Sequence, residues 1–499
     1  MNSLLIKLFE QKMIYFLFIY FCDWKLNFFK SLIKLTMVNI LILLIIYLIK
    51  VIKAKYPDNQ TNPELVFETN LLNFHSENPD LLKRYNQKGK YFAFPNTIRI
   101  NKYGKIFISV PRHIFDVSVS SSIPGTMNVL ENNILYPWPN EKENNYLYGP
   151  IHSIVGFEID LDGNVWMLNH KKQIHEILVY DVNGNFLKKY NLTLSTIHSK
   201  HESYLSNILL DLKDNYAFIT DTGKIFQNSF DEKDKESNYT KTKSNIITVK
   251  LESGLSFKNL QKDPSLRPIN HYENENAFSN KIDKIGLYGI ALTCDKNFLY
   301  YYPIRSDKLY SIFAYKLKDE RAIMKFSDIV EYNKKVSGFE MISSARGLLY
   351  YTAIEDNSIL VHFHERLLSF NTIRSIGQNK KLYKDYDKEF PSSLTFNGTT
   401  GFLFYLVNSH NIFLDNNLHK PLNESEINFK IYKVMVNDRS YLYPCNVFSY
   451  MPNYIWGFIV VGSLSLSIFL IRLMKFIGTL DDKKNEEIIN DESELQPLE

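Results

Sequence analysis

The sequence predicts an all-β fold, a six-bladed β-propeller, with an N-terminal signal or anchor segment and one C-terminal transmembrane helix. Three observations carry the propeller. First, one pattern returns six times: an apolar run, a short polar turn, and a second apolar or aromatic run. The copies are Pro95–Pro111, Ile154–Asn169, Leu205–Asp221, Leu287–Pro303, Val336–Thr352 and Pro391–Val407. Second, they recur roughly every 50–80 residues, near the periods that mark propellers and arrays. Third, long helical periodicity is absent between them. A lone hairpin cannot bury its own face, whereas six hairpins with outer strands can close into a ring.

Each copy alternates apolar and polar residues at period two on both sides of a turn. Gly104 and Asp162-Gly163 supply the turn chemistry of the first two copies. Outer strands are expected at Met127–Leu130, Ile177–Asp181 with Phe186–Tyr190, Ile246–Lys250, Leu309–Phe313, Ile359–Phe363 and Phe429–Val436. Ring closure removes exposed sheet edges. Three stretches read as irregular insertions: Asn228–Asn245, Lys258–Lys284 and Lys380–Glu389.

The ends read as membrane and targeting segments. Residues 1–54 form an apolar N-terminal region in which Met37–Ile52 is the main run. Lys25, Lys30 and Lys34 precede it, and Ala54 suits a cleavage site. Met13–Cys22 is too short to span a bilayer. Met37 is an alternative start to Met1, and an uncleaved anchor is the alternative to a cleaved signal. Tyr454–Ile471 carries no charge over 18 residues, enough for ~27 Å of helix. Arg472 and Lys475 follow it, which directs the tail to the cytosol. The domain plan is therefore a propeller over 55–450, a membrane helix over 454–474 and an acidic cytosolic tail over 475–499. The expected topology is single-pass type I, at the cell surface or in an endomembrane lumen. Glycosylation sequons fall at Asn59, Asn191, Asn238, Asn397 and Asn423, all between the signal region and the span.

The chain has 499 residues, with Lys+Arg 58 against Asp+Glu 54, for a net charge of +4. No basic stripe with interleaved aromatics is present, which argues against a nucleic-acid partner. Of Cys22, Cys294 and Cys445, the last two either form a disulfide in an oxidising compartment or remain two thiols. There is no nucleophile elbow, P-loop, dinucleotide fingerprint or His-Glu-x-x-His motif, so no cofactor is expected. His170, His175, His198 and His201, and the pair His362 and His364, have spacings that metals can use, but no metal is expected at them. Asp160, Asp162, Asp181 and Asp211 fit turns and backbone capping.

Several blocks resemble the yellow/major royal jelly protein family. They are Val110-Pro111-Arg112, Ile123-Pro124-Gly125-Thr126-Met127-Asn128 and Leu135-Tyr136-Pro137-Trp138-Pro139, then Gly163-Asn164-Val165-Trp166-Met167-Leu168 and Ala217-Phe218-Ile219-Thr220-Asp221-Thr222-Gly223. The most specific is Tyr288-Gly289-Ile290-Ala291-Leu292 with Leu299-Tyr300-Tyr301-Tyr302-Pro303-Ile304. The resemblance covers roughly residues 90–440. It implies a secreted six-bladed propeller with a ligand pocket on the ring axis; some insect members are associated with dopachrome conversion and some bind biogenic amines.

In a hairpin, the first residue of strand one and the last of strand two share one end. One mouth of the ring is therefore expected to carry the ligand-binding set Arg112, Asn169, Asn207, Asp221, Tyr288 and Asn408. Gly104, Gly163, Asn215 and Asn297 fall at the opposite mouth. A carboxylate, a cation, amides and a ring suit a small polar aromatic or an amine. The leading functional expectation is a membrane-anchored propeller that binds a small ligand or a partner without established catalysis. The alternatives are a dopachrome-tautomerase-like or lactonase-like enzyme, and an adhesion or receptor subunit. A lactonase-like site needs a metal on the axis; the strand starts offer Asn96 and Asn207 but no Glu.

Overall fold

In the computed structural model the described residues are 63–445, leaving out 113–116, 172–173, 194–202, 224–243, 262, 268–285, 305, 307, 323, 334–337, 354–357, 364–379, 385–388 and 410–420, together with Gly462 and Arg472. Among the described residues, twenty-four strands form six four-stranded antiparallel sheets. The first strand, β1 (Glu64–Thr69), belongs to the last sheet. Blade one is β2 (Ile98–Ile100), β3 (Ile106–Ser109), β4 (Met127–Glu131) and β5 (Ile134–Pro137). Blade two is β6 (Ile154–Ile159), β7 (Val165–Lys171), β8 (Ile174–Tyr180) and β9 (Phe186–Leu192). Blade three is β10 (Leu205–Asp211), β11 (Tyr216–Asp221), β12 (Asn245–Lys250) and β13 (Ser256–Asn259). Blade four is β14 (Leu287–Leu292), β15 (Phe298–Pro303), β16 (Lys308–Phe313) and β17 (Ile329–Asn333). Blade five is β18 (Met341–Ser343), β19 (Leu348–Ala353), β20 (Ser358–Phe363) and β21 (Lys380–Lys384). Blade six is β22 (Glu389–Phe396), β23 (Phe402–Ser409) and β24 (Phe429–Met435), completed by β1, which pairs with β24 from Glu64↔Lys433 to Thr69↔Phe429.

The six inner hairpins stand where the sequence places them, and so do the third strands. The outermost strands are where the sequence reading needs correction. Lys380–Glu389 is not an insertion: it holds β21 and the start of β22, joined through residues outside the description. Lys258–Lys284 opens inside β13 and continues through a 3-10 turn at Pro264–Leu266. Of the Asn228–Asn245 stretch, only Asn245 is described, and it begins β12.

The turn between the first two strands is built alike in several blades. A short polar side chain folds back onto the backbone two to four residues ahead, the Asx or ST turn that these residue types favour. Asn101 Oδ1 accepts from Tyr103 N and Lys105 N, Asp160 Oδ1 from Asp162 N and Asn164 N, and Ser344 Oγ from Arg346 N and Leu348 N. Asn397 Oδ1 accepts from Thr399 N and Thr400 N.

The apolar core lies in layers between successive blades. Phe107, Met127, Trp138, Phe157 and Met167 fill one such layer, between blades one and two. Tyr300, Tyr302, Tyr351 and Leu360 fill another, between blades four and five. The longest helix among the described residues, α1 (Pro79–Gln87), escapes the sequence reading. Asn78 caps it by accepting from Asp80 N and Leu81 N, and Pro79 opens its first turn. Leu81 and Tyr85 are its buried face, and Tyr85 joins the core layer between blades six and one.

The expected N-terminal segment (1–54), Asn59, Asn238 and the acidic tail (475–499) lie outside the described residues, and so does the expected span (454–474) apart from Gly462 and Arg472, both helical. Among the described residues no helix is long and apolar enough to cross a membrane. Of the sequons within the description, Asn191 and Asn423 are exposed. Asn397 is 7% exposed, with its side chain folded into its own turn.

Candidate functional site

Blades two and five repeat a tripeptide, Gly156-Phe157-Glu158 and Gly338-Phe339-Glu340. Each glycine meets a neighbouring backbone too closely for any side chain. A Cβ on Gly156 would stand 2.1 Å from Ser206 O, and one on Gly338 2.1 Å from Thr352 O. Phe157 and Phe339 are buried in the blade packing. The two glutamates are directed to the ring axis, where Arg99 of β2 arrives between Ile98 and Ile100.

Arg99 Nη2 donates to Glu340 Oε1 at 2.7 Å, and Arg99 Nε lies 3.4 Å from Glu158 Oε1. Its Nη1 donates to Ile98 O at 2.8 Å and Leu394 O at 3.2 Å. Glu340 Oε2 accepts from Leu394 N at 2.7 Å. Glu158 Oε1 accepts from Ile159 N at 3.0 Å, while Oε2 meets no donor among the described residues. One guanidinium and two carboxylates leave a single net negative charge in a site where each side chain is at most 10% exposed. Burial raises the Glu158 pKa, partly opposed by Arg99. Burial works to lower that of Arg99, but the two carboxylates outweigh it and hold the guanidinium firmly charged.

A cavity opens from this cluster toward the turn side of the ring. About 730 Å³ of unoccupied space, open solvent included, lies within its outline. Arg99, Glu158, Glu340 and Asn207 supply polar walls; Ile290, Met341 and Phe396 supply apolar ones, and Ser440–Tyr443 close it from beyond blade six. Beside Tyr441, Lys296 donates from Nζ to the Tyr441 carbonyl at 2.9 Å and sits 4.2 Å above its ring. Burial lowers the Lys296 pKa to about 8 against the pull of Asp211 and Asp295.

The six residues expected at the mouth separate into two groups. Asn207 lines the cavity and donates from Nδ2 to Tyr288 O at 2.9 Å. The half-buried Tyr288 packs edge-on against Phe339 at 5.7 Å, and burial followed by the nearby Glu340 raises its hydroxyl pKa. Arg112, Asn169, Asp221 and Asn408 are fully buried at or just past the ends of second strands, and neither they nor Tyr288 lines the cavity. Asn169 Oδ1 accepts from His152 N and Ser153 N, and its Nδ2 donates to Glu176 Oε1. Asp221 accepts from Ser203 Oγ, Tyr204 N, Gly223 N and Asn245 Nδ2. Asn408 donates to Ser392 Oγ at 2.9 Å. Arg112 donates to the carbonyls of Asn144 and Ile123, and burial lowers its pKa to about 9. These four hold the backbone that enters and leaves the blades.

Sequence reasoning missed Arg99, Glu158 and Glu340. The available signal was a charged residue inside an apolar first strand, twice preceded by Gly-Phe. Asp160 and Asp181 cap their turns as expected, Asp160 Oδ2 also accepting from Trp166 Nε1 at 2.9 Å, whereas the buried Asp211 pairs with Lys318 Nζ at 2.6 Å. His170 and His175 pack edge-on at 4.7 Å. His198, His201 and His364 lie outside the described residues. Among the described residues no three His, Cys, Asp or Glu side chains are grouped so as to hold a metal ion.

A family model described as Major royal jelly protein matches residues 161–445, more than half of the chain. The chain belongs to the major royal jelly protein family. No curated protein matches its sequence. Among solved structures, this major royal jelly family chain is similar to a luciferin-regenerating enzyme, with 10% identity, a TM-score of 0.41, and 72% of this chain and 96% of that one covered. It is also similar to a gluconolactonase from Xanthomonas campestris, with 9% identity, a TM-score of 0.39, and coverage of 68% and 86%. A third is virginiamycin B lyase from Staphylococcus aureus, with 14% identity, a TM-score of 0.34, and coverage of 68% and 94%.

Proposed function

We propose that this protein is a membrane-anchored, extracellular or lumenal propeller that binds a small cationic ligand with an apolar or aromatic body in its axial cavity. The observation that carries this reading is the buried Arg99–Glu158–Glu340 cluster, net negative, with Glu158 Oε2 unengaged at the cavity wall. Arg99 and Ile159 N engage Glu158 Oε1, and a ligand ammonium would pair with the remaining oxygen of the excess carboxylate. Ile290, Met341 and Phe396 would take the apolar body. Anchoring rests on the uncharged run Tyr454–Ile471, and a lumenal setting accords with the Cys294–Cys445 disulfide and the exposed sequons Asn191 and Asn423.

The test is a thermal-shift and calorimetric screen of the purified full-length protein with aromatic amines, each beside its neutral and carboxylate isostere. A ligand at 100 times its Kd adds about 2.7 kcal/mol of stability. Amines should bind and their isosteres should not, and Glu158→Gln should weaken binding at least tenfold in a folded protein. Equal binding of amine and neutral isostere, or wild-type affinity in Glu158→Gln, would sink the reading.

A further inference from the structure

The chain continues past β24 across the turn side of the ring. Asn437 turns it with a left-handed backbone (φ 54). Asp438 is buried, and its Oδ2 accepts from the Tyr350 hydroxyl at 3.2 Å. Ala345 N donates to Arg439 O at 2.8 Å and Tyr441 N to Ser343 O at 3.0 Å, so Ser440 pairs antiparallel with Ser344. The Tyr441 hydroxyl accepts from Leu210 N at 2.8 Å. Tyr443 lies so close to Gly398 that a Cβ there would stand 2.2 Å from its hydroxyl. Cys445 then forms a disulfide with Cys294, in the turn of blade four and 151 residues earlier. The segment thus touches blades three, four, five and six.

A short strap that makes no sheet beyond one bridge, held by a few hydrogen bonds and by the buried ring of Tyr441, opens locally more often than the ring unfolds. The covalent bond returns its end to the same place after every opening. We propose that Asp438–Cys445 is a plug for the turn side of the axial cavity, and that the Cys294–Cys445 bond is its latch. A dithiol releases it by thiol–disulfide exchange: one thiolate attacks a sulfur of the bond, the second closes the dithiol's own disulfide, and Cys294 and Cys445 leave as two thiols. Two electrons and two protons pass from the dithiol to the protein. As regulation of the cavity, the plug rests on the reading of that cavity as the binding site. Its test uses no ligand, so the two stand or fall separately.

The experiment is amide hydrogen exchange on the full-length protein, comparing the oxidised form, the same folded protein treated with dithiothreitol, and Cys445→Ser. Exchange over residues 436–445 should accelerate at least tenfold in the reduced and variant forms. Leu210, whose N–H the Tyr441 hydroxyl holds, should lose protection with it, while β11 and β15 stay protected. Slow exchange over 436–445 in both forms would show that the hydrogen bonds hold the strap unaided, which overturns the latch. A bond that dithiothreitol leaves intact in the folded protein overturns it as well. If Cys445→Ser fails to fold, the treated wild-type protein alone decides.

Discussion

Arg99 Nη2 reaches Glu340 Oε1 at 2.7 Å across the ring axis, joining blade one to blade five, which are not neighbours in the ring. The bond works as a central tie only while both carboxylates have their cation. Arg99→Met should therefore cost about 3–5 kcal/mol, the usual penalty for stranding buried charge. Arg99→Met with Glu158→Gln and Glu340→Gln should recover a large part of that loss. Chemical denaturation of the single and triple variants checks it, and equal stability of the two would refute the account.

The close approach at Gly156 and Gly338 leads to a second expectation. Alanine at either position places a Cβ 2.1 Å from a backbone oxygen that belongs to a packed blade. Each substitution should cost about 1–3 kcal/mol or more through overpacking. Gly104→Asn, where nothing lies within 4 Å and asparagine accepts the φ of +83, should be near neutral. Melting temperatures of the three variants would show whether Gly104→Asn stands apart.

Asp438 carries a pH dependence whose sign is fixed by its pKa, which burial raises to about 6 from 3.8. The folded state therefore binds this proton more tightly than the unfolded state does. Stability from this group is present at low pH and falls as pH rises from about 4 to 6, by about 3 kcal/mol in all. Asp438→Asn removes that dependence. It should be more stable than wild type at pH 7.5 and show no such advantage at pH 4, as read by thermal melts across that range.

Asp221 is held by four neutral donors: two just before β10, one just after its own strand β11, and the fourth on β12. Asp221→Ala would leave buried N–H groups without acceptors and should cost about 2–4 kcal/mol. Asn207→Ala removes one hydrogen bond, to Tyr288 O, and should cost less, about 1 kcal/mol. Denaturant midpoints of the pair test the separation.

The inner hairpins were legible because their strands are buried and short polar turns punctuate them. Leu205–Asp211 is buried throughout, and its partner Tyr216–Asp221 nearly so. Outer strands were harder to see. Phe186–Leu192 is exposed at five of seven positions, and Lys380–Lys384 has no apolar alternation at all. Closure by Glu64–Thr69 was invisible because no local pattern says which distant edge a lone strand will join. The axial site was hidden for a related reason. Register shifts between Ile154 and Phe157, and between Leu205 and Asn207, rotate the first strands relative to a regular hairpin. A reading from strand starts therefore found Asn207 and passed over Glu158.

The pairing of β1 with β24 also governs how the molecule is made. Thr69 and Phe429 are partners about 360 residues apart. At ~5–20 residues per second, β1 leaves the ribosome roughly 20–70 s before its partner does. During that interval a strand containing Leu65, Val66 and Phe67 has an unmatched edge, and blade six does not exist. The nascent protein is thus an open arc for nearly the whole of its synthesis. Its dependence on chaperones should be set by the time to the last strand, and a stall just before Phe429 should trap a chain with five blades and a free end.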